Sequence, residues 1–99
     1  MQNFESHIEG TIPVVVDFFA EWCGPCKLMT PVLQEVKGKV GERATLLKMD
    51  IDKNPRYAQL YGIQSVPTLV IFKEGKIVWR KSGVTPAHEI LDRLNLLMS

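Results

Sequence analysis

A mixed α/β fold, with a sheet of about four strands and helices on both faces, is what this sequence predicts, on three observations. The first is Val14-Val15-Val16-Asp17-Phe18-Phe19, a β-branched and aromatic run expected of a strand covered on both sides. The second is the helical spacing of Leu28, Met29, Val32, Leu33, Val36 and Val40, which follow that run and precede another strand-like segment, Ala44 to Ile51. A strand–helix–strand unit of this kind requires a right-handed crossover and a parallel pair. The third is a hairpin signal, Thr68 to Phe72 and Lys76 to Lys81 joined through Glu74-Gly75, which adds antiparallel strands.

Each element has a local reason. Phe4 to Glu9 reads as a short helix with Asn3 as its cap. Pro13 opens the first strand. Cys23 to Val40 reads as one helix with Pro25 in its first turn. Pro31 is expected to kink it, because a proline ring clashes with the carbonyl four residues back. Gly38 and Gly41 mark its end. Asn54 caps a short helix that carries Pro55 in its first turn and ends at Gly62. Thr85 caps the last helix, with Pro86 inside its start and Ile90, Leu91, Leu94 and Leu97 as its stripe. The order is α-β-α-β-α-β-β-α.

Composition narrows the function. At 99 residues the chain is expected to be one domain, residues 1–99, with a core large enough to need no metal. Its 12 basic and 11 acidic residues leave a net charge of +1, too small to grip a phosphate backbone or an anionic membrane. No apolar stretch approaches the ~20 residues of a spanning helix. Met1 to Gly10 carries Glu5 and Glu9 and lacks a secretory pattern, so the expected compartment is the cytoplasm. Near-neutral charge and small size suit a monomer.

The only two cysteines, Cys23 and Cys26, lie in Trp22-Cys23-Gly24-Pro25-Cys26-Lys27. As a structural staple they would close so short a loop that the chain-entropy gain is only roughly 2 kcal/mol. As half a zinc site they lack a second ligand pair, and His7 and His88 are far apart in the sequence. Two unrelated buried thiols are a third reading. The fourth, a dithiol–disulfide couple, is favoured by position. At a strand-to-helix junction, Cys23 meets unpaired N–H groups and the helix dipole, which favour a thiolate and make it a nucleophile. Cys26, three residues on, faces the same side and is placed to attack the Cys23 sulfur. The expected cycle has Cys23 attack a substrate disulfide and Cys26 displace the reduced substrate.

The topology brings other segments to the same edge. If the hairpin's first strand runs antiparallel to Val14–Phe19, it begins beside the motif at Ser65-Val66-Pro67-Thr68, and the second returns there with Ser82-Gly83-Val84. Pro67 suits a strand start. On base rates its peptide bond would be trans. Gly83 either admits a partner's backbone or ends the strand. Asp17 shares a strand face with Val15 and Phe19, where burial disfavours its charge and raises its pKa. It reads either as a proton relay for Cys26, directly or through water, or as a strand-end residue that caps a helix or pairs with lysine, and Lys48 on the neighbouring strand is the candidate charge partner. Trp22 reads as exposed contact surface; Tyr57, Tyr61 and Trp79 read as packing.

With these residues in view, the sequence resembles the thioredoxin family. The resemblance rests on Val16 to Lys27, Pro31, Asp50-Ile51-Asp52-Lys53-Asn54-Pro55, Tyr61-Gly62-Ile63, Val66-Pro67-Thr68, Phe72 to Gly75 and Gly83, and spans about residue 12 to the end. It implies the thioredoxin fold and a protein-disulfide reductase in which Cys23 attacks and Cys26 resolves. It makes Asp17 the buried acid with Lys48 its neighbour, and makes Pro67 cis. Val66 would pair with an extended substrate, and Trp22, Gly24, Pro25, Gly83 and Val84 would supply the contact surface. No cofactor is implied beyond the redox-active disulfide; NADPH would act indirectly, through a thioredoxin reductase as partner. Gly24-Pro25 points to the reducing branch. Two departures stand out: Phe19 where the family usually has Trp, and few residues ahead of the first strong strand, so the N-terminal edge strand is expected to be missing or vestigial.

Overall fold

The computed structural model describes residues 2–98, with side chains from Phe4 onward. Its elements are α1 (Gln2–Ile8), β1 (Val14–Phe19), α2 (Met29–Val40), β2 (Thr45–Asp50), α3 (Pro55–Leu60), β3 (Thr68–Lys73), β4 (Lys76–Ser82) and α4 (Ala87–Leu97). The Asn3 side chain, expected as a cap, lies outside the described ones. The strands form one sheet in the order β2-β1-β3-β4. β1 pairs parallel with β2 and antiparallel with β3, and β3 pairs antiparallel with β4.

Two apolar layers sandwich the sheet. On one face Val15, Leu69 and Ile71 meet Met29, Leu33, Val36 and Val40 of α2 and Ile90 and Leu94 of α4. On the other, Val14, Val16, Phe18, Val70 and Phe72 meet Phe4 and Ile8 of α1, with Tyr57 of α3 and Tyr61 just after it packed against them. The continuous apolar run of β1 is thereby explained, since alternate side chains enter opposite layers. The hairpin turn has φ of 55° at Glu74 and 80° at Gly75, the paired left-handed geometry that matches strand twist. Its N–H groups donate to the carbonyls of Gly10 (2.9 Å) and Ile8 (2.7 Å), tying the turn to the end of α1.

Four local expectations are corrected. The single helix from Cys23 is divided into a 3₁₀ turn, Pro25–Leu28, followed by α2. Pro31 has no N–H for the Lys27 carbonyl, so the chain tightens ahead of it instead of kinking a continuous helix. Gly38 lies inside α2; Gly41, at φ 59°, ends it. Asn54 caps α3 by position, but its amide donates to the Asp50 carbonyl at 3.0 Å and makes no cap bond. Thr85 does not cap α4. Pro86 occupies the N-cap, and the Thr85 hydroxyl donates to the Gly83 carbonyl at 3.0 Å. The end of α3 follows the expected glycine rule: Gly62 (φ 66°) donates to Gln59 at 3.1 Å and Ile63 to Ala58 at 2.8 Å, a Schellman pair.

Candidate active site

Parallel β1 and β2 both end at the edge of the sheet where the Cys23–Cys26 segment begins. Antiparallel β3 starts there and β4 returns there. Cys23 and Cys26 form a disulfide with their Cα atoms 5.4 Å apart. Both are buried, at 5% and 4% exposure, so neither sulfur is freely presented in the oxidised state. They pack with Ala20, and Phe19, Ile51 and Val66 lie against them. Cys23 sits just ahead of the 3₁₀ turn, with Gly24 as the cap residue. The Cys26 N–H donates to Cys23 Sγ at 3.1 Å, so the first turn aims a donor at that sulfur even though the α-helix proper starts later.

Val66 and Pro67 arrive from the start of β3. Their peptide bond is cis, as the family resemblance implied and the base rate did not. Pro67 is buried and its carbonyl accepts from the Gly83 N–H at 2.8 Å, which joins the two lips expected beside the sulfurs. Gly83 has φ 95°, a conformation that favours glycine. Thr68 ties the lips further. Its hydroxyl donates to the Ser65 carbonyl at 2.7 Å, leaving Ser82 Oγ, 3.0 Å away, as donor to Thr68. Trp22, Gly24, Pro25 and Val84 are exposed around the pair, Trp22 at 70%.

Asp17 is fully buried on the α2 face, and neither carboxylate oxygen has a hydrogen-bond partner. Desolvation pushes its pKa up to about 6, and the Lys48 charge partly opposes the rise. Asp17 and Lys48 are register partners, as expected. The Lys48 ammonium sits 4.7 Å from the Phe19 ring centroid, a cation–π contact at the position where the family usually has tryptophan. A cleft of about 220 Å³ lies between Phe19, Glu21, Cys26, Lys27 and Lys48. Asp17 does not line it.

Sequence reasoning passed over Asp52. Its Oδ2 accepts from Trp22 Nε1 at 2.8 Å, and Lys53 next to it approaches Glu21 at 3.9 Å, so the β2–α3 loop holds the residues before Cys23. The Asp50–Pro55 segment contributed to the resemblance, yet only the fold shows that this loop reaches Trp22. Met29 was read as a core residue; its Sδ also accepts from the Thr85 N–H at 3.4 Å. Among the described residues, no group of three or more His, Cys, Asp or Glu is placed to hold a metal. Among the described residues, too, no helix is long and apolar enough to cross a membrane.

The thioredoxin family model matches residues 1–95. A thioredoxin of Chlamydia trachomatis is 48% identical over 90 residues, covering 91% of this chain and 86% of that protein. A thioredoxin of Rickettsia felis is 43% identical over 88 residues, covering 89% and 84%. In structure, a mutant thioredoxin from Halobacterium salinarum superposes with a TM-score of 0.89 at 29% identity, covering all of this chain and 86% of that one. With the Cys23–Cys26 pair in place and no prosthetic group required by the family, the chain belongs to the thioredoxin family and is a thiol–disulfide oxidoreductase.

Proposed function

We propose that the protein reduces disulfides in other proteins in the cytoplasm, as a monomeric electron carrier recharged by a thioredoxin reductase that draws on NADPH. The observation that carries the reading is the Cys26 N–H aimed at Cys23 Sγ at 3.1 Å. A donor fixed on one sulfur favours negative charge there, so Cys23 is the attacking thiolate and Cys26 the resolving thiol. Cys23 attacks one sulfur of the substrate disulfide, and the other substrate sulfur leaves as a thiolate. Cys26 then attacks Cys23 Sγ, releases the second substrate thiolate and closes the Cys23–Cys26 bond. The substrate loses its disulfide and the protein gains one; two electrons pass from protein to substrate.

Asp17 is the group we assign to take the Cys26 proton. Its high pKa brings its titration close to neutral pH, and with no direct approach to the cleft the proton passes through water. Lys48 moderates that pKa. Val66, beside the cysteines, offers its backbone to an extended substrate segment, with Pro67 holding the turn. Trp22, Gly24, Pro25, Gly83 and Val84 form the contact surface.

Replacing Cys26 by Ser tests the roles. Cys26→Ser is expected to accumulate a mixed disulfide through Cys23 with a disulfide-bonded protein substrate, seen by mass spectrometry. An adduct that forms only in Cys23→Ser reverses the assignment. Coupled NADPH oxidation with a thioredoxin reductase tests the electron source; no turnover with an otherwise competent substrate rules that partner out.

A further inference from the structure

We propose that the outer edge of β2 is a docking site for an extended, acidic-and-aliphatic segment of a separate polypeptide, which adds to the sheet as a further strand. This goes beyond the redox reading and does not depend on it.

The sheet order makes β2 an edge strand. Hydrogen-bond parity says which of its groups are free. The Thr45 N–H donates to the Pro13 carbonyl and the Ile51 N–H to the Phe19 carbonyl, both at 2.9 Å, so odd-numbered residues of β2 face β1. The N–H and C=O groups of Leu46 and Lys48 therefore point outward. The next outward carbonyl, at Asp50, is already taken by the Asn54 N–H and amide, both at 3.0 Å. The open edge is thus a defined two-residue bonding frame, closed at one end by the β2–α3 loop and at the other by the Lys37 ammonium on the Ala44 carbonyl, at 3.3 Å.

Beside that frame lies a groove of about 250 Å³ between α2 and β2, lined by Thr30, Leu33, Gln34, Lys37, Leu46 and Lys48. Leu33 and Leu46 floor it, and both belong to the α2-side core layer. Its charged lining is cationic: Lys37, whose ammonium donates to the Gly41 carbonyl at 2.8 Å and the Ala44 carbonyl at 3.3 Å and keeps its charge, and Lys48, over the Phe19 ring; neither has a carboxylate within ion-pair distance among the described residues. A strand laid along Leu46–Lys48 would point alternate side chains into the groove. An aliphatic one meets Leu33 and Leu46, and a carboxylate falls between the lysines. A second copy of this chain fits less well, because two-fold pairing of β2 with itself would bring the same lysines together. The groove is also continuous with the redox cleft, which shares Thr30 and Lys48. A polypeptide held on the edge is therefore led toward Cys26. Edge lysines usually discourage strand pairing; here Lys48 selects against neutral and basic strands while admitting acidic ones.

The test is titration of the ¹⁵N-labelled, oxidised full chain with an acetylated peptide of alternating glutamate and valine, against its lysine–valine counterpart. The acidic peptide is expected to shift and protect the Leu46 and Lys48 amides from exchange, with binding that weakens as salt rises; the lysine peptide is expected to leave them unchanged. Gln34→Glu, at the exposed groove rim, is expected to weaken binding about fivefold with disulfide-reductase activity unchanged. Leu46→Pro, which deletes an outward N–H together with the Leu46 side chain on the groove floor, is expected to weaken it by at least a similar factor. If Leu46→Pro fails to fold, Gln34→Glu and the peptide pair still decide. The proposal is overturned if both peptides shift the edge equally or not at all, if shifts appear only around Trp22, Val66 and Val84, or if the edge amides become protected with protein concentration alone, which would make a second copy the occupant.

Discussion

Replacing Asp17 by Asn isolates the energetic cost of a buried carboxylate, and the structure gives its size. Both Asp17 oxygens are buried without a hydrogen bond, and the carboxyl pKa rises from 3.8 to about 6 through desolvation, with Lys48 opposing. The folded protein therefore holds this proton where the unfolded chain releases it. Below the unfolded value both states are protonated and the group has no effect on stability. As pH rises between the two values the native state binds more protons than the unfolded state, so stability falls; above the folded value the loss is complete. A shift of roughly two pH units corresponds to about 3 kcal/mol. Asparagine has nearly the same shape, stays neutral, and leaves the same kind of unsatisfied polar atoms as the protonated acid. Urea unfolding of the oxidised Asp17→Asn and parent proteins, extrapolated to water across about pH 3 to pH 8, measures the difference. The variant is expected to match the parent at the acid end and to exceed it by up to about 3 kcal/mol at the alkaline end. A gap that does not change with pH, or a variant that is less stable at pH 8, refutes the reasoning. The same substitution is expected to slow release of reduced substrate, because Cys26 loses its proton acceptor.

Other perturbations follow from particular contacts. Asp52→Ala frees the Trp22 indole from its 2.8 Å bond, so Trp22 emission, read in a Trp79→Phe background, is expected to shift with little change in stability; unaltered emission means that the bond does not hold in solution. Phe4→Ala removes a fully buried ring that lies 4.7 Å from Tyr57 and 6.1 Å from Phe72, and thermal or urea unfolding is expected to show a loss of about 3–5 kcal/mol. Gly62→Ala meets no atom within 4 Å but must adopt φ 66°, so a loss of roughly 1–2 kcal/mol is expected from backbone conformation alone; a neutral result would mean that the end of α3 rearranges.

The sheet was legible in the sequence because its signals are long and consistent. The β1 run sits in two apolar layers, and the Glu74-Gly75 turn has the expected paired left-handed geometry. The parallel and antiparallel partners of β1 then followed from connection rules, and with them the meeting of residues 23–26, 66–67 and 83–84 at one edge. What was misread were helix ends, where one side-chain bond decides the outcome. Pro31 shortened α2 by removing a donor, and Thr85 turned its hydroxyl back to Gly83 instead of forward onto α4. The Trp22–Asp52 bond joins segments whose approach depends on where the β2–α3 loop falls, and periodicity carries no such information. The fate of Pro67 was legible only through resemblance, since nothing local in Val66-Pro67-Thr68 distinguishes the two isomers.

The sheet order has a consequence for the chain before it folds. Of the groups gathered at the redox edge, Trp22, Gly24 and Pro25 lie beside the two cysteines in sequence; Val66, Pro67, Gly83 and Val84 arrive only when β1 pairs with β3 and β3 with β4. A nascent or denatured chain therefore carries the dithiol without those distant surroundings and behaves as an ordinary pair of thiols. Selective alkylation at position 23 thus doubles as a clock for maturation, emerging only when the distant strands have docked.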